Sequence, residues 1–384
     1  MQTLIKNANL VLPNKVVKGG WLLIENSHIV ETGEVDNCPS GIEKEIDARD
    51  NFLLPGLIDL HCDAIEKLVE PRPNVQFDLR IALHEVDRRL ASCGITTEFH
   101  AVSLDDNEFG TRSVEFMRDM AEVIQTDVFL VRHEVHARFE VTSQRGYEVV
   151  LDLIGRKAVR LVSLMDHTPG QGQYSSIEAF RDYVKRTVHM TDEQVDELLL
   201  HKSRQQELAP KRIEKVTQRV REAGLALATH DDDSAEKVER QIGLGVTMSE
   251  FPTTLEAAQK AHDLGLAVCM GAPNVLRGKS SGGNLSATEA IKAGVTNVLC
   301  ADYYPASMLA SLFKLYTQNI VDLPTATNML SLNAAKAVKM DDKLGSLEAG
   351  KLADVIEVNL LGQYPRVQRV FVGGVERLTM VYHY

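Results

Sequence analysis

Arg221-Glu222-Ala223-Gly224-Leu225-Ala226-Leu227-Ala228-Thr229-His230 joins the last turn of a helical stretch to a short apolar run that stops at an imidazole. Glycine just past a helix ends it in a left-handed conformation, and a continuous apolar run suits a parallel strand covered on both faces. The same grammar recurs at Leu90-Ala91-Ser92-Cys93-Gly94 before Ile95 to Phe99, and at Gln241-Ile242-Gly243-Leu244-Gly245 before Val246 to Glu250. It appears again at His262-Asp263-Leu264-Gly265 before Leu266 to Met270, and at Ile291-Lys292-Ala293-Gly294 before Val295 to Asp302. Apolar runs at about 57 to 61, 128 to 136 and 159 to 166 bring the strands to eight, separated by helical segments. This pattern predicts an α/β chain built on a (β/α)8 barrel of the TIM type. A doubly wound open sheet is the rival. The barrel is preferred because polar residues fall at the C-terminal ends of the strands, around what would be one mouth.

Both ends of the chain read differently. Residues 1–52 and 345–384 show period-two alternation broken by turn residues, as in Trp21-Leu22-Leu23-Ile24-Glu25 and Asp354-Val355-Ile356-Glu357-Val358. They are expected to form one small β-sandwich-like domain from both termini, with the barrel over 53–344. Residues 170–215 make a long excursion that is a candidate lid, and Thr191 to Gln194 reads as a capping box starting a helix to about Gln206.

With 384 residues, 44% of them hydrophobic, the chain can bury one large catalytic core. A net charge of -12 argues against a nucleic-acid or membrane-surface partner, because both require a basic face. It leaves room for a small anionic substrate, since arginines around a bound dication can reverse the potential inside a pocket. The five cysteines are odd in number and widely spaced, as expected of reduced thiols in a cytoplasmic protein. The first residues carry no charged segment followed by an apolar one, so no leader or membrane span is expected.

His61-Cys62-Asp63 ends the apolar run Leu53 to Leu60. In an extended chain residues i and i+2 point the same way, so this imidazole and this carboxylate converge on one cation while Cys62 turns into packing. The other strand ends bring His133, His136 and Glu140, then Asp166-His167, His230 with Asp231-Asp232-Asp233, Glu250 and Asp302. One buried histidine is usually a satisfied core residue. Several at successive strand ends point to a divalent ion held by nitrogen and oxygen. A second set faces anions: Arg72 after the first barrel strand, Arg132 and Arg138 at the third, and Arg277, Lys279, Ser280 and Asn284 after the seventh. Guanidinium forks and loop amides are what phosphoryl oxygens need.

The H-x-D, the terminal Asp302 and the tail Gly345 to Asp354 together resemble the amidohydrolase superfamily. His61 to Lys67, Pro71-Arg72-Pro73, Gly94 to Thr97, Glu250 to Thr254, Gly271 to Gly278 and Asp302 to Pro305 look like a narrower family. Its members are the α-D-ribose 1-methylphosphonate 5-triphosphate diphosphatases of phosphonate catabolism through the carbon-phosphorus lyase pathway. The resemblance implies a metal-dependent hydrolase that releases pyrophosphate from a phosphorylated substrate. It implies two divalent ions, manganese, zinc, nickel or magnesium, held by His61, Asp63, Glu140, His167, His230 and Asp302. Asp302 would be the catalytic base and Glu140 the bridge between ions, with a carboxylated Lys157 as the alternative. Glu250, in one of the shared stretches, is expected to face the substrate, and the chain is expected to be a homo-oligomer, a dimer. Two other readings stand beside this one: an amide hydrolase of the dihydroorotase, imidase or deacetylase kind, and a non-catalytic assembly protein that keeps the barrel.

Overall fold

The computed structural model describes residues 1–105, 110–166, 177–178, 181–182, 185, 190–280 and 283–382. Five strands come first: β1 (Gln2–Val11), β2 (Val16–Glu25), β3 (His28–Gly33), β4 (Lys44–Asp47) and β5 (Phe52–Pro55). The barrel strands follow as β6 (Leu57–Cys62), β7 (Ile95–Leu104), β8 (Arg132–Glu140), β9 (Leu161–Met165), β10 (Ala226–His230), β11 (Met248–Glu250), β12 (Ala267–Gly271) and β13 (Val298–Cys300). The chain ends with β14 (Val355–Leu361), β15 (Tyr364–Val372) and β16 (Val375–Thr379).

Strands β6 to β13 pair in sequence order, all parallel, and the first and last meet through a bridge between Cys62 and Asp302. The eight-stranded barrel is therefore as expected. Its helix-ending glycines explain the sequence grammar: Gly94, Gly224, Gly245, Gly265 and Gly294 have φ between 68 and 86°. A side chain at such a position would be strained, which is why the five repeats share this residue. Ile58, Leu60, Phe99, Leu161, Ala228, Met248 and Val298 fill the interior without solvent contact. The helix Leu332–Ala337 adds Ala334 and Ala335 to the same cluster, so the tube is a packed core and the chemistry is left to one rim. The outward faces of the strands pack on the surrounding helices through Val102, Val135, Phe139, Val162 and Leu164.

By hydrogen bonding the two termini form one sheet, ordered β16-β15-β14-β5-β1-β2-β3 with β4 also on β1. β5 pairs with β14, which is where the amino-terminal and carboxy-terminal strands join. Ile5, Leu10, Leu22, Ile24, Leu53, Val355 and Phe371 make its apolar cluster. In the 170–215 excursion, the helix Asp192–Gln206 begins at the Thr191 capping box with both of its hydrogen bonds made. Residues 170–176, and with them much of the candidate lid, lie outside the described residues.

One expectation about the third barrel strand shifts. It starts at Arg132 rather than near 128, because the buried Asp87 carboxylate takes the amides of Leu130 and Val131. Arg132 thus stands at the end of the barrel away from the mouth, where it forms a two-pronged pair with Asp354, a residue only 4% exposed. Asp354 also accepts the amide of Gly373, tying the barrel to the terminal sheet. Arg132→Ala strands that carboxylate, and we expect a loss of about 3 kcal/mol in urea unfolding. Metal content and turnover should stay at wild-type levels, since nothing at the mouth changes.

Candidate metal centre

The mouth is assembled at the seam between β6 and β13. Asp302 donates its amide to the carbonyl of His61 and accepts the amide of Asp63, both at 2.8 Å. Behind the seam, the buried Asp59 carboxylate accepts the amides of His61 at 3.2 Å and Ala301 at 2.9 Å. Burial, opposed by these two amides, pushes Asp59 up to about 7. Cys62 turns away into the wall, 1% exposed, as the strand period requires.

His230 comes from β10, with its ring centroid 5.6 Å from that of His61. Phe251 stands edge-on to both rings, at 4.9 Å from His61 and 5.3 Å from His230. Three residues just past barrel strands adopt the left-handed region without being glycine: Asp231 at φ 53°, Phe251 at 52° and Asp302 at 61°. Each costs about 1 kcal/mol or more. Ladder hydrogen bonds from Asp231 to Glu250 and from Phe251 to Cys269, both 2.9 Å, hold the kinks in place.

The donor types suit a cation: among the described residues, ligand atoms of His61, His136 and Glu250 lie within 4.8 Å of one another, and Asp63, His230 and Asp302 line the cleft with His61. Among the described residues, neither buried ring nitrogen of His230 has a hydrogen bond; Asp231 lies 3.1 Å from Nδ1 but out of line. Burial, then the charge of Arg138, holds His61 well below its ordinary value, so the imidazole is neutral and able to ligate. Burial and then Asp63 push Asp302 up to about 7, and burial raises Asp63 as well. Carboxyls crowded in this way are relieved by a dication.

Glu250 belongs to this floor rather than to the substrate surface expected of it. It has no solvent exposure, and its Oε1 lies 3.3 Å from His61 Nδ1. A carboxylate there keeps the proton on Nδ1 and turns the Nε2 lone pair outward. Its neighbour there is His136, one of the strand-end histidines of the sequence, whose Nε2 is 3.6 Å from Glu250. His136 Nδ1 faces the carbonyl of Leu60 at 3.0 Å and its Nε2 accepts from the Ser163 hydroxyl at 2.9 Å, so it is a satisfied core histidine supporting the floor.

A cleft of about 580 Å³ opens above the floor, lined by His61, Asp63, His230 and Asp302 and by Arg138, Arg277, Lys279, Ser280 and Asn284. Arg112, which the sequence reading missed, also lines it from the short turn Gly110–Arg112. Its Nε donates to both oxygens of Glu66, at 3.1 and 2.9 Å. Arg72 does not reach the cleft; it is exposed in a turn with Val75. Glu140 ends β8 fully buried, accepts the Thr142 hydroxyl at 2.9 Å, and is not among the residues lining the cleft. Its register partner on β9 is Met165; His167, expected beside it as a ligand, lies outside the described residues. Lys157 cannot serve as a carbamate bridge, because it is exposed in the turn before β9, at the far end of the barrel. Asp232 is structural: it accepts the hydroxyls of Thr229 and Ser249, both at 2.6 Å.

Between the ordinary carboxylate range and about 7, Asp302 holds a proton that an incoming cation has to displace. Mn²⁺ affinity of the metal-free protein should therefore climb from pH 6 to pH 8 with proton release, read by calorimetry in buffers of different ionisation heat. A pH-independent affinity would contradict a site built on Asp302.

Residues 52–381 match the Amidohydrolase family. The alpha-D-ribose 1-methylphosphonate 5-triphosphate diphosphatase of Escherichia coli (strain K12) is 34% identical over 382 residues, covering 97% of this chain and 99% of that protein. Among solved structures, a Xaa-Pro dipeptidase with bound methionine in the active site aligns with a TM-score of 0.66 at 16% identity, over 98% of this chain and 99% of its own. The N-acetylglucosamine-6-phosphate deacetylase from Pasteurella multocida aligns at 0.63 and 14% identity, over 97% and 99%. These two share the fold. With the family pattern running from the last strand before the barrel through the terminal sheet, the chain belongs to the Amidohydrolase family.

Proposed function

We propose that the protein is a metal-dependent diphosphatase that hydrolyses a ribose 5-triphosphate, and that α-D-ribose 1-methylphosphonate 5-triphosphate is its substrate. The observation that carries this reading is one cleft holding both a floor of imidazoles and carboxylates and a cationic rim. Arg277 and Lys279 are exposed on that rim with no ion pair among the described residues, and the Ser280 and Asn284 side chains stand beside them. The near full-length likeness to the Escherichia coli diphosphatase supports the substrate. An amide substrate has no use for such a rim, which sets this reading above an amide hydrolase.

His61, Asp63, His230 and Asp302 would hold divalent cation, and Glu140 with His167 are the proposed further ligands for a second ion. Bound dications supply Lewis acidity, which makes water more acidic and offsets charge building on phosphoryl oxygens. The protein's own residues do the rest. Asp302 takes the proton of the attacking water as its oxygen bonds to phosphorus and the bond to pyrophosphate breaks. Arg277 and Lys279 neutralise the departing pyrophosphate, and Glu250 keeps His61 in the ligating tautomer.

Protein loaded with Mn²⁺ should release pyrophosphate from a ribose 5-triphosphate, and more slowly from a nucleoside triphosphate. Asp302→Asn should lower kcat by about 100- to 10,000-fold, the usual worth of a general base. Metal analysis of that variant should show its content unchanged. Full activity in Asp302→Asn would remove Asp302 as the base.

A further inference from the structure

The cations that line the cleft differ in what balances them. Arg112 is neutralised by Glu66, and one of its terminal nitrogens lies 3.6 Å from Asp63. Arg277 and Lys279 are exposed to water. Arg138 has neither form of relief. It is half-buried, its Nε is closed off from solvent with no hydrogen-bond partner, and no carboxylate comes within ion-pair distance of it among the described residues. It nevertheless sits at the electrostatic centre of the site. Its charge depresses His61 and draws the carboxyls of Asp63 and Asp302 down against their burial.

A buried donor left unpaired costs about 1–3 kcal/mol, more when charged, so the position asks for an acceptor from outside the chain. Cations on Asp63 and Asp302 would sharpen that demand, because they would offset the negative charge of two carboxylates that the guanidinium feels. The fork of an arginine matches two oxygens on one centre. A phosphoryl group offers two non-bridging oxygens with negative charge, whereas an amide offers one neutral carbonyl oxygen.

We propose that Arg138 sets the preference of this site for phosphoryl over acyl groups, by donating to two non-bridging oxygens of the phosphoryl group under attack. The inference rests on the polyphosphate reading above and adds the residue that enforces it. Neighbouring β8 positions fit the assignment: His136, two residues earlier on the same face, is satisfied beneath the floor, and Arg138 is the next side chain up.

Ribose 5-phosphate, which keeps the attacked phosphoryl group once pyrophosphate has left, is the probe, titrated calorimetrically into Mn²⁺-loaded wild type, Arg138→Met and Arg138→Lys, with metal content and triphosphate turnover measured on the same samples. Arg138→Met should weaken ribose 5-phosphate binding and lower kcat/KM about 10- to 100-fold with metal content intact, as for a lost charge-assisted hydrogen bond. Arg138→Lys should fall between, since it keeps the charge and loses the fork. Unchanged ribose 5-phosphate affinity in Arg138→Met overturns the inference and leaves the diphosphatase reading standing. Wild type that binds ribose 5-phosphate through Arg138 and yet leaves triphosphates uncut overturns that reading instead. Loss of metal from both variants would make Arg138 a support of the floor and would also overturn the inference.

Discussion

Two main-chain hydrogen bonds across the barrel seam carry the site: Asp302 to His61 and Asp63 to Asp302, both 2.8 Å. They join residues more than two hundred positions apart and set the first and last strands at one height on the rim. Asp59 braces the seam from behind by accepting amides from both strands. A site ligand on either strand therefore inherits its position from backbone pairing, which a loop could not provide. The left-handed Asp302 is the consequence: its carboxylate can turn inward only because the backbone kinks where its two amide partners hold it.

The same rim concentrates charge of both signs. Asp63, Asp231 and Asp302 lie under Arg112, Arg138, Arg277 and Lys279, within a protein whose net charge is -12. Acid groups bunched in this way raise one another's pKa, and burial adds to it. The arrangement makes sense as a balance of three parts: carboxylates for cations below, arginines for anions above, and a polyanionic ligand between them. Arg138, with no carboxylate within ion-pair distance among the described residues, is where the proposed ligand would complete that balance.

Much of the fold was legible because it rests on periodic signals. Glycine closes a helix in five repeats, and the apolar runs that follow are strands; both features have strong local causes. The H-x-D and Asp302 were legible for the same reason, as polar residues stopping apolar runs. What escaped the sequence depends on tertiary contacts. Arg132 looked like a mouth residue until Asp87 was seen to delay its strand, and Lys157 sits at the wrong end for the same kind of reason, at a strand's start rather than its finish. Glu250 stops a strand as Asp302 does, yet it turns under His61 instead of toward the cleft, and nothing in its local sequence distinguishes the two. Arg112 comes from a loop, where no period reports direction.

The central claim is that His61, His230 and Asp302 meet on one cation at the seam. Anomalous diffraction from crystals grown with Mn²⁺ tests it most directly. A single strong peak, or the nearer of a pair, should lie about 2.0–2.3 Å from an imidazole nitrogen of His61, from one of His230 and from an Asp302 carboxylate oxygen. A peak confined to the wall cluster of Asp59, Cys62 and Glu98, or a vacant seam in crystals of active protein, would contradict the account.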